Sequence, residues 1–401
     1  MKTLTHPAEE PVIVNDELSW NRMINKVSEA EGPIAIDVER AQSFRYSDKA
    51  YLVQIKKDGA GIFLIDPISF EHGKIADFSE LNEAIGDSQW ILHAATQDLP
   101  NLWQLNMRPA SLFDTELAGR LLGYEKVNLA AMIEHYFDLH LEKQHSADDW
   151  STRPIPQDWI AYAALDVELL IDLRKKMIVD LEDAGKEEWA KQEFAHLVYW
   201  ADHHEPKCAD ERWRRTSGLQ DVHTRRGMAL VRELYEQRDK IARELDKSPH
   251  KVLIDKAITE IASQASEESV PTISKLRRVM GFRRREPRKH MSAWENALDT
   301  VAGLDKSDLP QLRVHKTGIP KPRNWQRINP EAAERWNRIR PKIIEKAQTL
   351  NLPVENLVSP AALREALWQP SEDMESQLTD LGVRPWQRQE ILEIIQSGLS
   401  A

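Results

Sequence analysis

The stretch Ile34-Ala35-Ile36-Asp37-Val38-Glu39 places two carboxylates directly after an apolar run. This pattern predicts a buried β-strand that carries both acids at its carboxyl end. Because strand side chains at i and i+2 point to one face, Asp37 and Glu39 should emerge side by side. A fold tolerates such a pair at the solvent edge of a strand, which is the ordinary interpretation, or where a cation lies between the charges. Further carboxylates nearby would favour the second interpretation, a cation site.

The composition is that of a folded protein with more than one domain. The chain has 401 residues, 41% of them hydrophobic, so two to three domains are expected. No apolar run approaches the length of a transmembrane helix, and Met1 to Pro11 lacks the regions of a secretory signal, so we expect neither membrane insertion nor secretion. The single cysteine, Cys208, excludes an intramolecular disulfide and cysteine-based zinc sites, and favours a cytoplasmic location.

Charge is distributed unevenly along the chain. The net charge of −11 argues against a protein whose whole surface binds nucleic acid. Basic residues nevertheless crowd the segment Lys275 to Lys289. Local potential governs binding more than the sum does, so this segment could contact phosphates, although a charge run is more often a solvated surface.

The first two hundred residues predict an α/β domain with a mixed sheet. Tyr51–Ile55 and Ile62–Ile65 flank the turn Lys57–Gly61 and predict a hairpin. Short strands at Trp90–His93 and Leu112–Asp114 then alternate with helices, so a meander continues as β-α-β-α. The other predicted elements are a lead-in helix or strand in Val12–Ala30, helices at Phe78–Ile85, Asp98–Leu105, Thr115–Leu122, Leu129–Phe137 and Gln157–Leu181, and a loop at His145–Pro156.

Beyond this domain the patterns indicate helices only, in two groups of similar size. The predicted helices are Arg226–Leu245, Lys251–Gln264 and Ile273–Met280 in the first group, and Pro330–Leu350, Pro360–Ala366, Glu372–Leu381 and Pro385–Ser397 in the second. We therefore expect an α/β domain in residues 1–200, an all-α helical-bundle module in 210–300, a proline-containing linker in 301–329 and a second module in 330–401. The similarity of the two groups suggests a degenerate tandem repeat.

Three later residues could join the opening pair of carboxylates. Asp98 should lie in the first turn of a helix that follows a buried strand, where an aspartate alone would ordinarily be a cap. Tyr162 and Asp166 are four residues apart on a helix and share a face, with small residues between them. Taken alone, they would be an ordinary structural pair. As a set, these residues place four carboxylates and a tyrosine at one edge of the sheet.

Four carboxylates in one site cannot all remain ionised without cations. Hard oxygen ligands in that number suit Mg²⁺ or Mn²⁺ and not zinc. Two such ions about 3.5–4 Å apart would clamp an in-line phosphoryl displacement, one activating water and the other stabilising the leaving oxygen. The sequence therefore predicts phosphodiester hydrolysis with two divalent cations.

The three acidic segments resemble the three motifs of the DEDD exonuclease superfamily. These are Asp37-Val38-Glu39, His93 to Leu99 and Tyr162 to Val167, and the segment Lys143 to Pro154 resembles the one that precedes the third motif. A tyrosine four residues before the last aspartate is typical of the tyrosine branch, since the histidine branch would have its histidine where this chain has Ala161.

The resemblance implies a ribonuclease-H-like fold and a role for each site residue. Asp37, Glu39 and Asp166 would hold the ion that activates water, while Asp37 would bridge to a second ion near Asp98. Tyr162 would orient the attacking water, because a neutral tyrosine, with a pKa of about 10, is a poor general base.

The helical groups resemble HRDC domains, with less specific motifs. The first carries Arg238 to Arg243, Ser248-Pro249 and Leu253-Ile254, and the region Trp336 to Ile395 resembles a second, divergent copy. The simpler alternative is a helical bundle with solvated charged faces. If the resemblance holds, the modules would guide RNA toward the catalytic face.

The leading hypothesis is a metal-dependent 3′→5′ exoribonuclease that releases nucleoside monophosphates. The resemblance implies RNA with a free 3′ end as the partner, in particular tRNA precursors that are trimmed at that end. Independently of the resemblance, we expect a monomer without a membrane partner. One alternative is a DNA 3′→5′ exonuclease of the proofreading kind, because the metal site does not read the 2′-OH. The other is a non-catalytic RNA-binding protein with a relic nuclease domain.

Overall fold

The computed structural model describes residues 2–141, 145, 147–203, 211–313 and 318–400. Its strands are β1 (Lys2–Leu4), β2 (Val12–Val14), β3 (Ile34–Arg40), β4 (Ala50–Lys57), β5 (Gly61–Ile65), β6 (Trp90–Leu92), β7 (Leu112–Asp114) and β8 (Leu139–Leu141). The helices of the same region are α1 (Glu17–Glu29), α2 (Ser79–Ile85), α3 (Leu99–Gln104), α4 (Thr115–Leu122), α5 (Leu129–Phe137), α6 (Gln157–Glu168), α7 (Leu170–Asp183) and α8 (Glu187–His203).

Six strands form one mixed sheet in the order β2-β5-β4-β3-β6-β7. The run β3-β4-β5 is antiparallel, whereas β2, β6 and β7 join parallel to their neighbours. The predicted hairpin and the predicted mixed α/β sheet are therefore confirmed. Strand β3 has a partner on both sides, and its apolar residues Ile34, Ala35 and Ile36 are fully buried. The remaining strands, β1 and β8, pair in a small parallel sheet that the sequence did not indicate.

Several predicted helices are shorter than their patterns. The prediction of a single helix over Gln157–Leu181 is wrong, because the helix is interrupted at Leu169, between α6 and α7. At this break the backbone carbonyl of Glu168 accepts a hydrogen bond of 2.6 Å from Lys56 Nζ, a contact between α6 and β4 that periodicity cannot reveal. The helix expected over Lys251–Gln264 likewise divides in two, at Leu253 and Ile254.

The first helical module consists of α9 (Arg225–Glu244), α10 (Pro249–Val252), α11 (Asp255–Ala262), α12 (Ile273–Leu276), α13 (Arg285–Lys289) and α14 (Met291–Ala302). The last two helices were not predicted. Its buried residues form a core of their own, in which Trp294 and Phe282 are fully buried.

The second helical module consists of α15 (Trp325–Ile328), α16 (Pro330–Thr349), α17 (Val354–Leu357), α18 (Pro360–Trp368), α19 (Met374–Asp380) and α20 (Pro385–Ser400). Its core is continuous with that of the α/β domain. The ring of Trp386 stacks on that of Trp189 in α8 with centroids 4.4 Å apart, and Arg384 forms two hydrogen bonds, of 2.6 and 2.7 Å, with buried Glu193. The two domains thus form one packed body. Over the described part of the chain, none of the helices combines the length and the apolar character that crossing a lipid bilayer would require.

Candidate active site

Three of the predicted carboxylates converge over the central strand of the sheet. Strand β3 presents Asp37 and Glu39, and α6, which packs against β3, β4 and β5, presents Asp166. One carboxylate oxygen from each of the three residues lies within 4.8 Å of the others. The helix can approach the sheet closely because Ala163 and Ala164, which lie between Tyr162 and Asp166, are fully buried small residues.

Asp98 lies beside this group, at the end of the neighbouring strand. Asp98 follows β6 through a turn of 3-10 helix at Ala95–Gln97, and the residue is only 5% exposed. The ordinary interpretation of Asp98 as a helix cap is wrong, because its carboxylate makes no capping hydrogen bond to α3. Capping in this region falls to Asp114, which accepts hydrogen bonds from four backbone N–H groups, those of Ala94, Ala95, Glu116 and Leu117.

Asp98 interacts electrostatically with the other carboxylates. Burial raises the pKa of Asp98 well above its ordinary value, and the charge of Asp37 raises it further. Burial likewise raises the pKa of Glu39, with further contributions from Asp37, Asp166 and Asp98. Burial raises the pKa of Asp37 to about 6. The fold therefore holds these carboxylates together against desolvation and mutual repulsion.

The donor set fits a hard divalent cation. All ligands offered are carboxylate oxygens, which suit Mg²⁺ or Mn²⁺. A cation among them would offset both the burial of these carboxylates and their mutual repulsion. The structure brings Asp37, Glu39 and Asp166 within ligand distance of one another, and it places Asp98 outside that closest set.

A basic residue that the sequence did not single out adjoins the cluster. Arg40 directly follows Glu39, and its Nη1 donates a 3.0 Å hydrogen bond to the backbone carbonyl of Gln97. Its charge lowers the pKa values of Asp37, Glu39 and Asp98, opposing the larger effect of burial. The strand pairing shifts register between Glu39 and Arg40, and such a bulge re-aims side chains. In the sequence, the signal that could have indicated a role for Arg40 is its position directly after Glu39.

Tyr162 lies in an aromatic cluster next to the carboxylates. Its ring meets that of His145 edge-on at 5.7 Å and lies 6.3 Å from that of the fully buried Trp150. His145 is held in turn by Asp148, with 2.6 Å between Nδ1 and Oδ2. These contacts fix the ring of Tyr162. The described residues of the segment 145–156 contain neither helix nor strand, as predicted, while Lys143, Gln144 and Ser146 lie outside the described residues.

The first helical module docks on the loop that follows β3. Asp246 of that module accepts hydrogen bonds from the backbone N–H groups of Tyr46 and Ser47, at 3.2 and 3.0 Å. The backbone N–H of Ser248 donates to the carbonyl of Phe44 at 3.0 Å. No local pattern indicated this docking, which joins residues about 200 positions apart. It attaches the module within a few residues of Glu39.

Known protein families match all three parts of the chain. Family models match residues 11–182 (3′-5′ exonuclease), 228–297 (HRDC domain) and 318–399 (3′ to 5′ exonuclease C-terminal domain). The ribonuclease D of Gluconacetobacter diazotrophicus is 27% identical over 320 residues, which cover 78% of this chain and 77% of that protein. The chain belongs to the ribonuclease D family. The family assigns it to the 3′-5′ exoribonucleases, as the sequence predicted.

Two solved structures resemble this ribonuclease D-family chain over nearly its whole length. A protein from Bifidobacterium adolescentis is 35% identical, with all of both chains covered and a TM-score of 0.87. The ribonuclease D of Escherichia coli, described as an exoribonuclease involved in structured RNA processing, is 20% identical, with 98% of this chain and 99% of that chain covered and a TM-score of 0.65. This second likeness shows the shared fold. Because a model other than HRDC matches residues 318–399, the idea of a divergent second HRDC copy stays a prediction.

Proposed function

We propose that this ribonuclease D-family protein trims the 3′ ends of tRNA precursors, removing one nucleotide at a time as a nucleoside 5′-monophosphate. The observation that carries the proposal is the convergence of Asp37, Glu39 and Asp166, each with a carboxylate oxygen within 4.8 Å of the others. Their chemistry suits phosphodiester hydrolysis at a divalent-cation site.

Each site residue has a proposed role in that reaction. Asp37, Glu39, Asp98 and Asp166 would hold two Mg²⁺ or Mn²⁺ ions. When bound, these ions supply charge stabilisation for the leaving oxygen and lower the pKa of the attacking water. The neutral hydroxyl of Tyr162 orients that water, and the packing of its ring against His145 and Trp150 restricts where the hydroxyl can point.

A basic cavity on the first helical module supports RNA as the substrate. Arg277, Arg283 and Arg288 line a cavity of about 540 Å³ together with Phe282 and Met291. Exposed guanidinium groups around an apolar floor suit phosphates and bases of a single strand.

An ion pair connects the arginine-rich segment of this cavity to the residues that dock the module on the α/β domain. Glu286, in the same arginine-rich segment, pairs with Lys247 at 3.2 Å. Lys247 follows Asp246, which binds the loop after β3. An RNA strand held by the arginines would therefore lie on the module that is fastened beside the carboxylates.

The test is incubation of the full chain with a 3′-extended tRNA and Mg²⁺, resolved by product length. Shortening that EDTA and Asp166→Asn abolish supports the proposal. Equal shortening of a matched DNA oligomer would favour a DNA 3′→5′ exonuclease. RNA that keeps its length after incubation with Mn²⁺ would favour a non-catalytic RNA-binding protein with a relic nuclease domain. The monomeric state and the cytoplasmic location stay predictions from the sequence.

The role of the basic cavity needs a charge-matched comparison. Arg283→Ala with Arg288→Ala should weaken binding of a long RNA while leaving hydrolysis of a short oligomer unchanged. The control removes two exposed basic residues of α1, Arg22→Ala with Lys26→Ala, and should bind long RNA as the wild type does. If the two double variants bind long RNA with equal affinity, the cavity is not part of the RNA-binding surface.

A further inference from the structure

The amide of Gln54 is a buried polar group without a partner. Gln54 lies on β4 and is fully buried. Within the part of the chain that the structure describes, neither its Nε2 nor its Oε1 has a hydrogen-bond partner. Burying an amide unsatisfied is unfavourable, and such groups are normally hydrogen-bonded to protein or to ordered water. No described residue supplies that partner, and ordered water is the usual alternative for such a group.

Gln54 lies directly beside the carboxylate cluster. In the antiparallel pair of β3 and β4, its register partner is Asp37. Directly opposite residues of antiparallel strands point to the same face, with Cβ atoms about 4.5–5.5 Å apart. The amide of Gln54 is thus next to Asp37, on the face of the sheet that carries the cluster.

Helix α6 covers this same face. Lys56 is two residues beyond Gln54 on β4 and therefore shares its face. Its Nζ donates a 2.6 Å hydrogen bond to the carbonyl of Glu168, the last residue of α6. Asp166 lies two residues earlier on this helix. Gln54 is consequently enclosed between the strand of Asp37 and the helix of Asp166.

We propose that Gln54 is a positioning residue of the metal site, where its amide hydrogen-bonds a water molecule that bridges to the cation held by Asp37. This inference rests on the proposed function. The Nε2 group would donate to that water or Oε1 would accept from it, which gives the amide a hydrogen-bond partner and fixes the surroundings of the cation. Groups that orient a metal site in this way change metal affinity when they are removed.

The test is Mn²⁺ binding to the 401-residue chain without RNA, measured by titration calorimetry. Gln54→Met keeps the length of the side chain and removes both polar atoms. We expect Mn²⁺ affinity to fall by about 10- to 100-fold. Metal-free thermal stability should be unchanged or higher, because the variant no longer buries an unsatisfied amide.

The matched control is a buried amide outside the site. Gln387 in α20 donates from Nε2 to the carbonyl of Asn356 at 2.7 Å and accepts from the backbone N–H of Arg384 at 2.9 Å. Gln387→Met should lose stability and keep wild-type Mn²⁺ affinity.

Three outcomes would overturn the inference about Gln54. Wild-type affinity in Gln54→Met makes its amide purely structural. An equal loss of affinity in both variants makes the effect one of general stability. Absence of Mn²⁺ binding by the wild type removes the proposed metal site, and this inference with it.

Discussion

Replacing Asp37 by asparagine should stabilise the metal-free protein while abolishing hydrolysis. In the fold, burial raises the pKa of Asp37 from its ordinary 3.8 to about 6. A raised carboxyl pKa means that the fold favours the protonated form, so ionisation costs stability as pH rises. That cost is absent below about pH 4, grows between about pH 4 and pH 6, and is complete above it. The asparagine side chain of the variant carries no such charge.

The size of the effect follows from the same values. The difference between 3.8 and about 6 corresponds to about 3 kcal/mol in unfolding free energy above pH 6. This is an upper value, because the asparagine amide needs hydrogen-bond partners of its own. For a packed body of this size, about 3 kcal/mol raises the thermal midpoint by roughly 6 °C.

The assay is thermal unfolding in EDTA at pH 7.5 and at pH 4. The variant should melt higher than the wild type at pH 7.5, and the difference should nearly vanish at pH 4. Asp87→Asn, at an exposed carboxylate of the same domain, should change the midpoint little at either pH. Mg²⁺ should stabilise the wild type more than Asp37→Asn. An Asp37→Asn protein that is no more stable than the wild type at pH 7.5 would refute the account of repulsion and desolvation.

Three further changes test separate parts of the structure. Tyr162→Phe should lower kcat by about 10- to 100-fold with little change in KM, because the water loses its orienting hydroxyl; single-turnover hydrolysis at the wild-type rate would contradict this. Glycine suits the backbone at position 246, where φ is +44°, so Asp246→Gly removes the acceptor for Tyr46 and Ser47 without straining the chain. Hydrogen exchange of residues 41–49 should accelerate in this variant. Exchange of the same residues should be slower in Asp246→Asn than in Asp246→Gly, because asparagine keeps an acceptor oxygen. Glu193→Ala leaves Arg384 without its carboxylate, and urea unfolding should show a loss of about 3 kcal/mol; a loss below about 1 kcal/mol would mean that the pair is not structurally important.

Much of the candidate site could be predicted because its signals are local. Asp37 and Glu39 follow an apolar run that predicts a strand, and Tyr162 and Asp166 share a helix face at a spacing of four. The order of the three motifs then indicates the family. Each of these signals lies within a few residues, where periodicity and spacing are informative.

The features that could not be predicted depend on contacts between distant residues. The break after Glu168 is accompanied by a hydrogen bond from Lys56, more than a hundred positions away. The neighbourhood of Gln54 depends on its register opposite Asp37, which the pattern of β4 alone does not give. Hydrophobic periodicity predicted the helices of the second module, but the contacts between α8 and α20 that join it to the α/β domain became visible only in three dimensions.

The central claim is that the cluster of Asp37, Glu39, Asp98 and Asp166 hydrolyses RNA from its 3′ end. The most direct measurement is mass spectrometry of the nucleotides released from a 5′-labelled RNA in ¹⁸O-enriched water with Mg²⁺. We predict nucleoside 5′-monophosphates carrying ¹⁸O on the phosphate, stepwise shortening of the labelled strand, and loss of both in EDTA and in Asp37→Asn. Nucleotides with 3′-phosphates, release without ¹⁸O, or continued release by Asp37→Asn would contradict it.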